Sequence, residues 1–267
     1  MNVQNKQGAG MQVDVLRSLT AKLCQSFFAI YLTIIFTLNT TAANIQYEVI
    51  EGEIANSGSI VGVVTLSGTP AATEMFTVDT DESECGAEMP SEELELGSNN
   101  GIHNVVLSIE NIETGKDWSF PTDFVYDQKN CRFNPHVMII KPRTRGVVLN
   151  SDNLVHNVHT ISRGIFSFNK ATKAHSETQI KERKIRKPGI IRVKCDIHYW
   201  MKGWWIVAKN PYTTLTNQDG RFSIEDIPAG HYTIKVWHEK LGESDYSIEV
   251  KAGEAAQMDV TLNEETG

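Results

Sequence analysis

The seven residues Cys195-Asp196-Ile197-His198-Tyr199-Trp200-Met201 constrain this chain more than any other stretch. They set a thiol, an imidazole and a thioether at three-residue intervals, directly after Ile191-Arg192-Val193-Lys194, where apolar and charged residues alternate. Such alternation marks a half-buried strand with Ile191, Val193 and Cys195 on its inner face. The thiol then sits at the buried end of a strand, and the turn after it can wrap His198 and Met201 around one point. Thiolate, imidazole and thioether together form a soft donor set that favours copper; zinc more often takes a fourth strong donor than a thioether. A complete centre needs a second imidazole, so the fold must bring a distant segment to this one.

Asp152-Asn153-Leu154-Val155-His156-Asn157-Val158-His159 offers two candidates. Strand alternation groups Leu154, His156 and Val158 on one face, and Asn153, Val155, Asn157 and His159 on the other. The first set is apolar apart from its histidine, so it faces the core where Cys195 also points. His156 is the expected ligand, with His159 at a strand edge in water.

Elsewhere short apolar runs alternate with turn signals. Strands are expected over 58–66, closed by Ser67-Gly68-Thr69-Pro70, then over 104–109, 124–126, 137–140 and 146–149. Later strands are expected over 231–237, 246–250 and 258–262, with a hairpin over 213–224 turning at Asp219-Gly220. Helical periodicity is scarce, and only 172–185 is expected to form a turn or two of helix. The fold class is all-β, as sandwiches or barrels.

Lys6, Arg17 and Lys22 precede an apolar run from Phe27 to Leu38 and then Thr41-Ala42-Ala43. That is the order of a secretory signal peptide cleaved near Ala43. The run is shorter than the roughly 20 apolar residues of a membrane helix, so no integral span is expected after cleavage. Cys24 precedes the apolar run, the wrong place for a lipoprotein cysteine. The net charge is −8, becoming about −10 without the leader, which argues against nucleic acid as partner. Eight acids and no base lie between Asp79 and Glu95, and nine bases against Glu177 and Glu182 lie between Lys170 and Lys194. These runs read as solvated surface, as mutually neutralising faces, or, for the basic run beside the loop, as a patch that steers an acidic redox partner. Cleavage leaves Cys85, Cys131 and Cys195, and each of the three possible pairings strands one thiol. A metal-bound Cys195 accounts for a leftover thiol and leaves Cys85 to pair with Cys131; a disulfide at Cys195 destroys the site.

His156-Asn157 after Asn150-Ser151-Asp152, followed by the spacing Cys195, His198, Met201, resembles the cupredoxins, with a ligand loop similar to that of amicyanin. The wider pattern, including Cys131–His136, Asn210-Pro211-Tyr212 and Trp237–Gly242, resembles bacterial plastocyanin-like methylamine utilisation proteins. The resemblance covers most of 58–262. It implies a Greek-key sandwich with one type 1 copper held by His156, Cys195, His198 and Met201, and with Asn157 tying the two ligand loops together. Tyr199 and Trp200 depart from it, filling positions usually held by smaller or Pro-containing pairs.

Such a set leaves no coordination position for substrate, so the expectation is a periplasmic or secreted electron carrier serving a transient redox partner, not an enzyme. The edge of His198, flanked by Tyr199, Trp200 and Trp204, is the expected electron port. Of Trp204 and Trp205, which point opposite ways on one strand, at least one is expected in the core. Copper storage or delivery, and a non-redox cell-surface module, are the alternatives.

After Ala208 the chain resembles a carboxypeptidase regulatory-like, prealbumin-type sandwich, but about fifty residues are too few for one. The expected division is a signal peptide at 1–43, first strands of that sandwich at 58–112 with an acidic loop at 79–96, a cupredoxin at 113–208, and the remaining strands at 209–263. A tandem order is the alternative, distinguished by contact between Val63 and 224–236. His238 is expected as a hydrogen-bonded core or edge residue, and nothing in the spacing of His103 and His136 demands a second metal site. No GxSxG, HExxH, CxxC, P-loop or dinucleotide motif is present.

Overall fold

A computed structural model describes residues 47–264 except Glu53 and Arg183. The expected signal peptide and Cys24 lie outside the described residues. In chain order the first elements are β1 (Glu48–Val49), β2 (Ser57–Leu66), β3 (Met75–Thr77), the one-turn helix α1 (Glu82–Cys85), β4 (Glu88–Pro90), β5 (Val106–Ile109) and β6 (Thr114–Gly115). Next come β7 (Asp123–Lys129), β8 (Arg132–Asn134), β9 (Val137–Ile140), β10 (Arg145–Asn150), β11 (His156–Ile161), β12 (Asn169–Thr172), β13 (Ser176–Ile180), β14 (Gly189–Lys194) and β15 (Lys202–Val207). The last are β16 (Thr213–Leu215), β17 (Arg221–Pro228), β18 (Gly230–His238), β19 (Gly242–Val250), β20 (Ala255–Gln257) and β21 (Val260–Leu262).

The described chain is all-β and forms two sandwiches. In the first, a four-stranded sheet ordered β13-β10-β7-β8 packs on a five-stranded sheet ordered β12-β11-β14-β15-β9. Tyr126, Phe133, Val148, Val158, Ile191 and Trp205 are buried together in its core, which also contains Cys195 and Met201. Gly203 allows the sheets to close here, because a Cβ on it would strike the Tyr126 hydroxyl and the His136 carbonyl. In the second, the sheet β16-β5-β18-β19 packs on β17-β2-β20, with β21 alongside β2. Alternation sets which side chains go inward: along β2, Ile60, Gly62, Val64 and Leu66 are buried, and Val61, Val63 and Thr65 between them are only partly so.

Strands from both sides of the first sandwich share sheets in the second. Val63 lies opposite Arg221 and Ile60 opposite Ile224, while Ile109 lies opposite Ile234. Val106, Val137 and Ile206 form a third buried cluster, against which Trp204 and Trp237 pack edge to face.

Three local expectations are corrected. Residues 172–185 contain β13 rather than a helical turn, because Ser176 to Ile180 alternate in burial and pair with β10. The acidic stretch is not mere loop: β3 and β4 pair across α1. The Asp219-Gly220 turn exists, with Gly220 N–H donating to Asn217 O (3.0 Å), but its flanking strands do not form a hairpin. β16 pairs with β5 and β17 with β2, so the chain crosses there from one sheet to the other. Among the described residues no helix is long and apolar enough to cross a membrane.

Candidate metal centre

β14 delivers Cys195 to the edge of the first core, and the loop closes immediately beyond it. Cys195 N–H donates to Met201 O (3.1 Å) and Met201 N–H to His198 O (3.0 Å). His198 N–H points back at Cys195 Sγ from 3.4 Å. β11 begins with His156 on the neighbouring strand, since His159, three residues on, pairs with Lys194. The result is a cluster of His156, Cys195 and His198 whose ligand atoms all lie within 4.8 Å of one another. Both imidazoles are wholly buried and Cys195 is 2% exposed. Met201 is wholly buried in the same core.

Each imidazole is held from behind by a carboxylate. His156 Nε2 lies 2.8 Å from Asp152 Oδ2, and His198 Nε2 lies 3.0 Å from Asp81 Oδ2. An ionised carboxylate only accepts, so both Nε2 atoms carry the hydrogen and both Nδ1 lone pairs turn inward. Those two Nδ1 atoms are 2.9 Å apart, and Cys195 Sγ is 3.6 Å from His198 Nδ1. Two lone pairs facing each other at that distance in a dry core repel, and a cation between them, a shared proton or a metal ion, turns the repulsion into attraction. The donor set therefore fits a thiophilic metal of the copper or zinc type.

Asp152 is itself built in: it accepts from Asn130 N–H (2.6 Å) and Cys131 N–H (2.9 Å). Asn150 braces the same turn, donating to Leu154 O (2.7 Å) and Thr172 O (2.9 Å). Asn157 joins the two loops. Its Oδ1 accepts from Asp196 N–H (2.6 Å) and lies 3.3 Å from Cys195 Sγ, and its Nδ2 donates to Asn169 Oδ1 (2.9 Å) and Asp196 Oδ2 (3.1 Å). Burial pushes the Cys195 thiol up, but the rings of His156 and His198, which donate to the sulfur when a proton rather than a metal sits at Nδ1, and the backbone outweigh it and bring the thiol down to about 6. For His198, burial favours the neutral ring, but the bonds to Cys195 and Asp81 prevail and raise it.

His159 takes no part: it is a third exposed, and its Nδ1 lies 3.0 Å from Asp196. A second grouping, Cys131 with Asp152 and His156, is no metal site, because Cys131 is bonded to Cys85 with Cα atoms 5.6 Å apart. Cys195 is the free thiol among the described cysteines. His136 is bound to Glu239, His103 to Glu95, and buried His238 accepts from Lys240 N–H (3.3 Å), so each has its own partner.

The expected port is corrected. His198 has no exposed surface, because the acidic segment folds over the ligand loop and sets Asp81 on the ring edge. Trp204 belongs to the junction of the sandwiches, donating to Glu239 (2.7 Å), and Trp205 is wholly buried in the first core. Sequence reading also missed the two carboxylates. Asp152 stands four residues before His156, close enough for a turn to place it, whereas Asp81 is 117 residues from His198 and nothing local announces it.

Residues 205–263 match the family model of the carboxypeptidase regulatory-like domain. No curated protein matches the chain. Among solved structures it is similar to a Cu-containing nitrite reductase (NirK) from Thermus scotoductus SA-01, with 23% identity and a TM-score of 0.30, over 33% of this chain and 23% of that one. It is also similar to a purple cupredoxin from Nitrosopumilus maritimus, with 17% identity and a TM-score of 0.28, over 32% of this chain and 100% of that one. Amicyanin from Paracoccus versutus is similar at 19% identity and a TM-score of 0.28, over 34% of this chain and 86% of that one.

Proposed function

We propose that this chain is a periplasmic or secreted copper protein that carries single electrons between redox partners. The observation that carries the reading is the convergence of His156 Nδ1, His198 Nδ1 and Cys195 Sγ in a buried pocket of two sheets. Met201 is assigned the weak fourth donor. Copper, when bound, supplies a one-electron couple between its two common oxidation states.

The chain's own residues do the rest. Asp152 orients His156, the backbone N–H groups of Asn157 and His198 hold the sulfur, and a thiol with its pKa near 6 is ready as thiolate at neutral pH. Trp200, Val193 and Val158 exclude water around it. The sheets limit movement of the donors, as fast electron exchange requires. With four donors from protein, no position is left for a substrate, which supports carriage over catalysis.

The Cys85–Cys131 disulfide supports an oxidising compartment. We read 113–208 as the copper-bearing sandwich, set between the strands of 58–112 and 209–263. Exposed Lys170, Lys173, Lys187 and Arg192 supply positive charge for an acidic partner.

Adding Cu(II) to the purified protein tests the reading. The expected outcome is one copper per chain, an intense visible thiolate-to-copper band bleached by reductant, and a reversible voltammetric wave. Cys195→Ala abolishes the band. A colourless zinc form that excludes copper overturns the reading, and bound copper without a reversible wave favours storage or delivery instead.

A further inference from the structure

We propose that Asp81 is a positioning residue for His198, carried to it on a strap of residues 75–90 that is fastened across the ligand loop. The proposal rests on the copper reading above. The strap is a built element: β3 and β4 pair from Met75 opposite Pro90 to Thr77 opposite Glu88, with α1 between them. Asp81 stands before α1 with φ +56° and ψ +35°, a left-handed conformation that Asp tolerates. Its carbonyl accepts from Glu84 and Cys85 N–H, both at 3.0 Å, so the backbone that aims the carboxylate is fixed.

The strap is tied down on several sides of the ring. Tyr199 Oη donates to Thr77 O (2.6 Å), and the Tyr199 ring meets Phe76 edge to face at 5.8 Å. Cys85 is bonded to Cys131, Arg132 donates to Pro90 O (2.9 Å), and Lys202 pairs with Glu93 just beyond the strap. Asp81 Oδ2, 3.0 Å from His198 Nε2, is thereby held where it can accept the ring N–H. Holding that hydrogen on Nε2 leaves Nδ1 free to face Cys195 and His156. His156 receives the same service from Asp152, but locally; for His198 the carboxylate arrives from a distant segment. The binding of metal by His198 is therefore coupled to closure of the strap.

Two substitutions separate the acceptor from the backbone. Asp81→Gly deletes the carboxylate and keeps the left-handed conformation without strain. Asp81→Asn keeps an acceptor oxygen and also tolerates that conformation. Nitrogen-15 NMR of the metal-free protein, at a pH where both rings are neutral, is expected to show His198 as the Nε2–H tautomer in the parent and in Asp81→Asn, and as a mixture in Asp81→Gly. Copper affinity is expected to fall about ten- to a hundred-fold in Asp81→Gly and to be largely restored in Asp81→Asn. Asp81→Ala is the second deletion, should glycine loosen the strap. Parent-like tautomer and affinity in the deletions overturn the proposal. A parent protein that gives no copper–thiolate band defeats the copper reading instead, and the tautomer measurement still decides the role of Asp81.

Discussion

Around Cys195 the buried residues include Phe124, Tyr126, Phe133, Trp200 and Trp205, whereas the core between β2 and β18 is largely Ile60, Ile102, Leu107, Ile109, Ile227 and Ile234. The difference has a physical meaning. β-branched aliphatic side chains fit a pleated surface and pack densely, which holds sheets together but offers no chemistry. Large rings are stiff walls: Trp205 contacts Phe124 at 5.2 Å and Tyr126 at 5.1 Å, and Trp200 donates to Cys131 O (3.1 Å). Such walls fix strand ends, and the strand ends carry His156 and Cys195. Between the two cores lies a junction with buried titratable groups, His136 with Glu239 and His238 nearby.

If the aliphatic core only stabilises, Ile60→Ala should show the largest loss of stability and the least change at the metal. Deleting this wholly buried side chain is expected to cost about 4 kcal/mol in urea unfolding, with the copper band of the folded protein unshifted. A shifted band breaks the comparison by showing that the cores are coupled.

The junction is expected to respond to acid. Burial, then the charges of His136 and Lys240, bring His238 down to about 4 from its ordinary 6.5. The unfolded chain therefore binds more protons between those values, and the stability due to neutral His238 is lost as pH falls from about 6.5 through 4, by about 3 kcal/mol. His136 has the opposite sign: although burial favours its neutral form, Glu239 and Glu92 raise it, so its contribution is present in acid and lost as pH rises through its folded value. His238→Gln should flatten the acid limb of the stability curve relative to the parent; an unchanged limb removes His238 from the account.

The smallest effect on stability is expected at the site itself. Asn157→Ala removes the oxygen that holds Asp196 N–H and the amide that reaches Asn169, at a cost of about 2 kcal/mol. It should also shift the copper band, since Cys195 Sγ loses its neighbour at 3.3 Å. A variant that changes stability alone would reduce Asn157 to a structural brace.

Much of this arrangement was readable from local pattern. The alternation of Ile191, Val193 and Cys195 placed the thiol at a strand end, and the apolar face of Leu154 and Val158 selected His156 over His159. Where the reading failed, a local signal was real but its partner was remote. The Asp219-Gly220 turn forms, yet β5 and β2 claim the two flanking strands separately. Thr172 to Ile185 lacks strong apolar periodicity, and β10 draws Ser176–Ile180 into its sheet. The acidic run carried no sign that it would lie on His198, because electrostatic attraction to a ring 117 residues away leaves no mark on neighbouring residues.

By itself the sequence determined which thiol and imidazoles are available, the strand that presents Cys195, and the inward direction of His156, because strand periodicity and side-chain chemistry are properties of a few adjacent residues. Only the tertiary structure decided that a carboxylate backs each imidazole, that the two Nδ1 atoms meet at 2.9 Å, and that a disulfide-fastened strap seals the ring edge. Those features arise where separate segments are brought into contact, and contact is set by how both cores pack, which no short stretch of chain encodes.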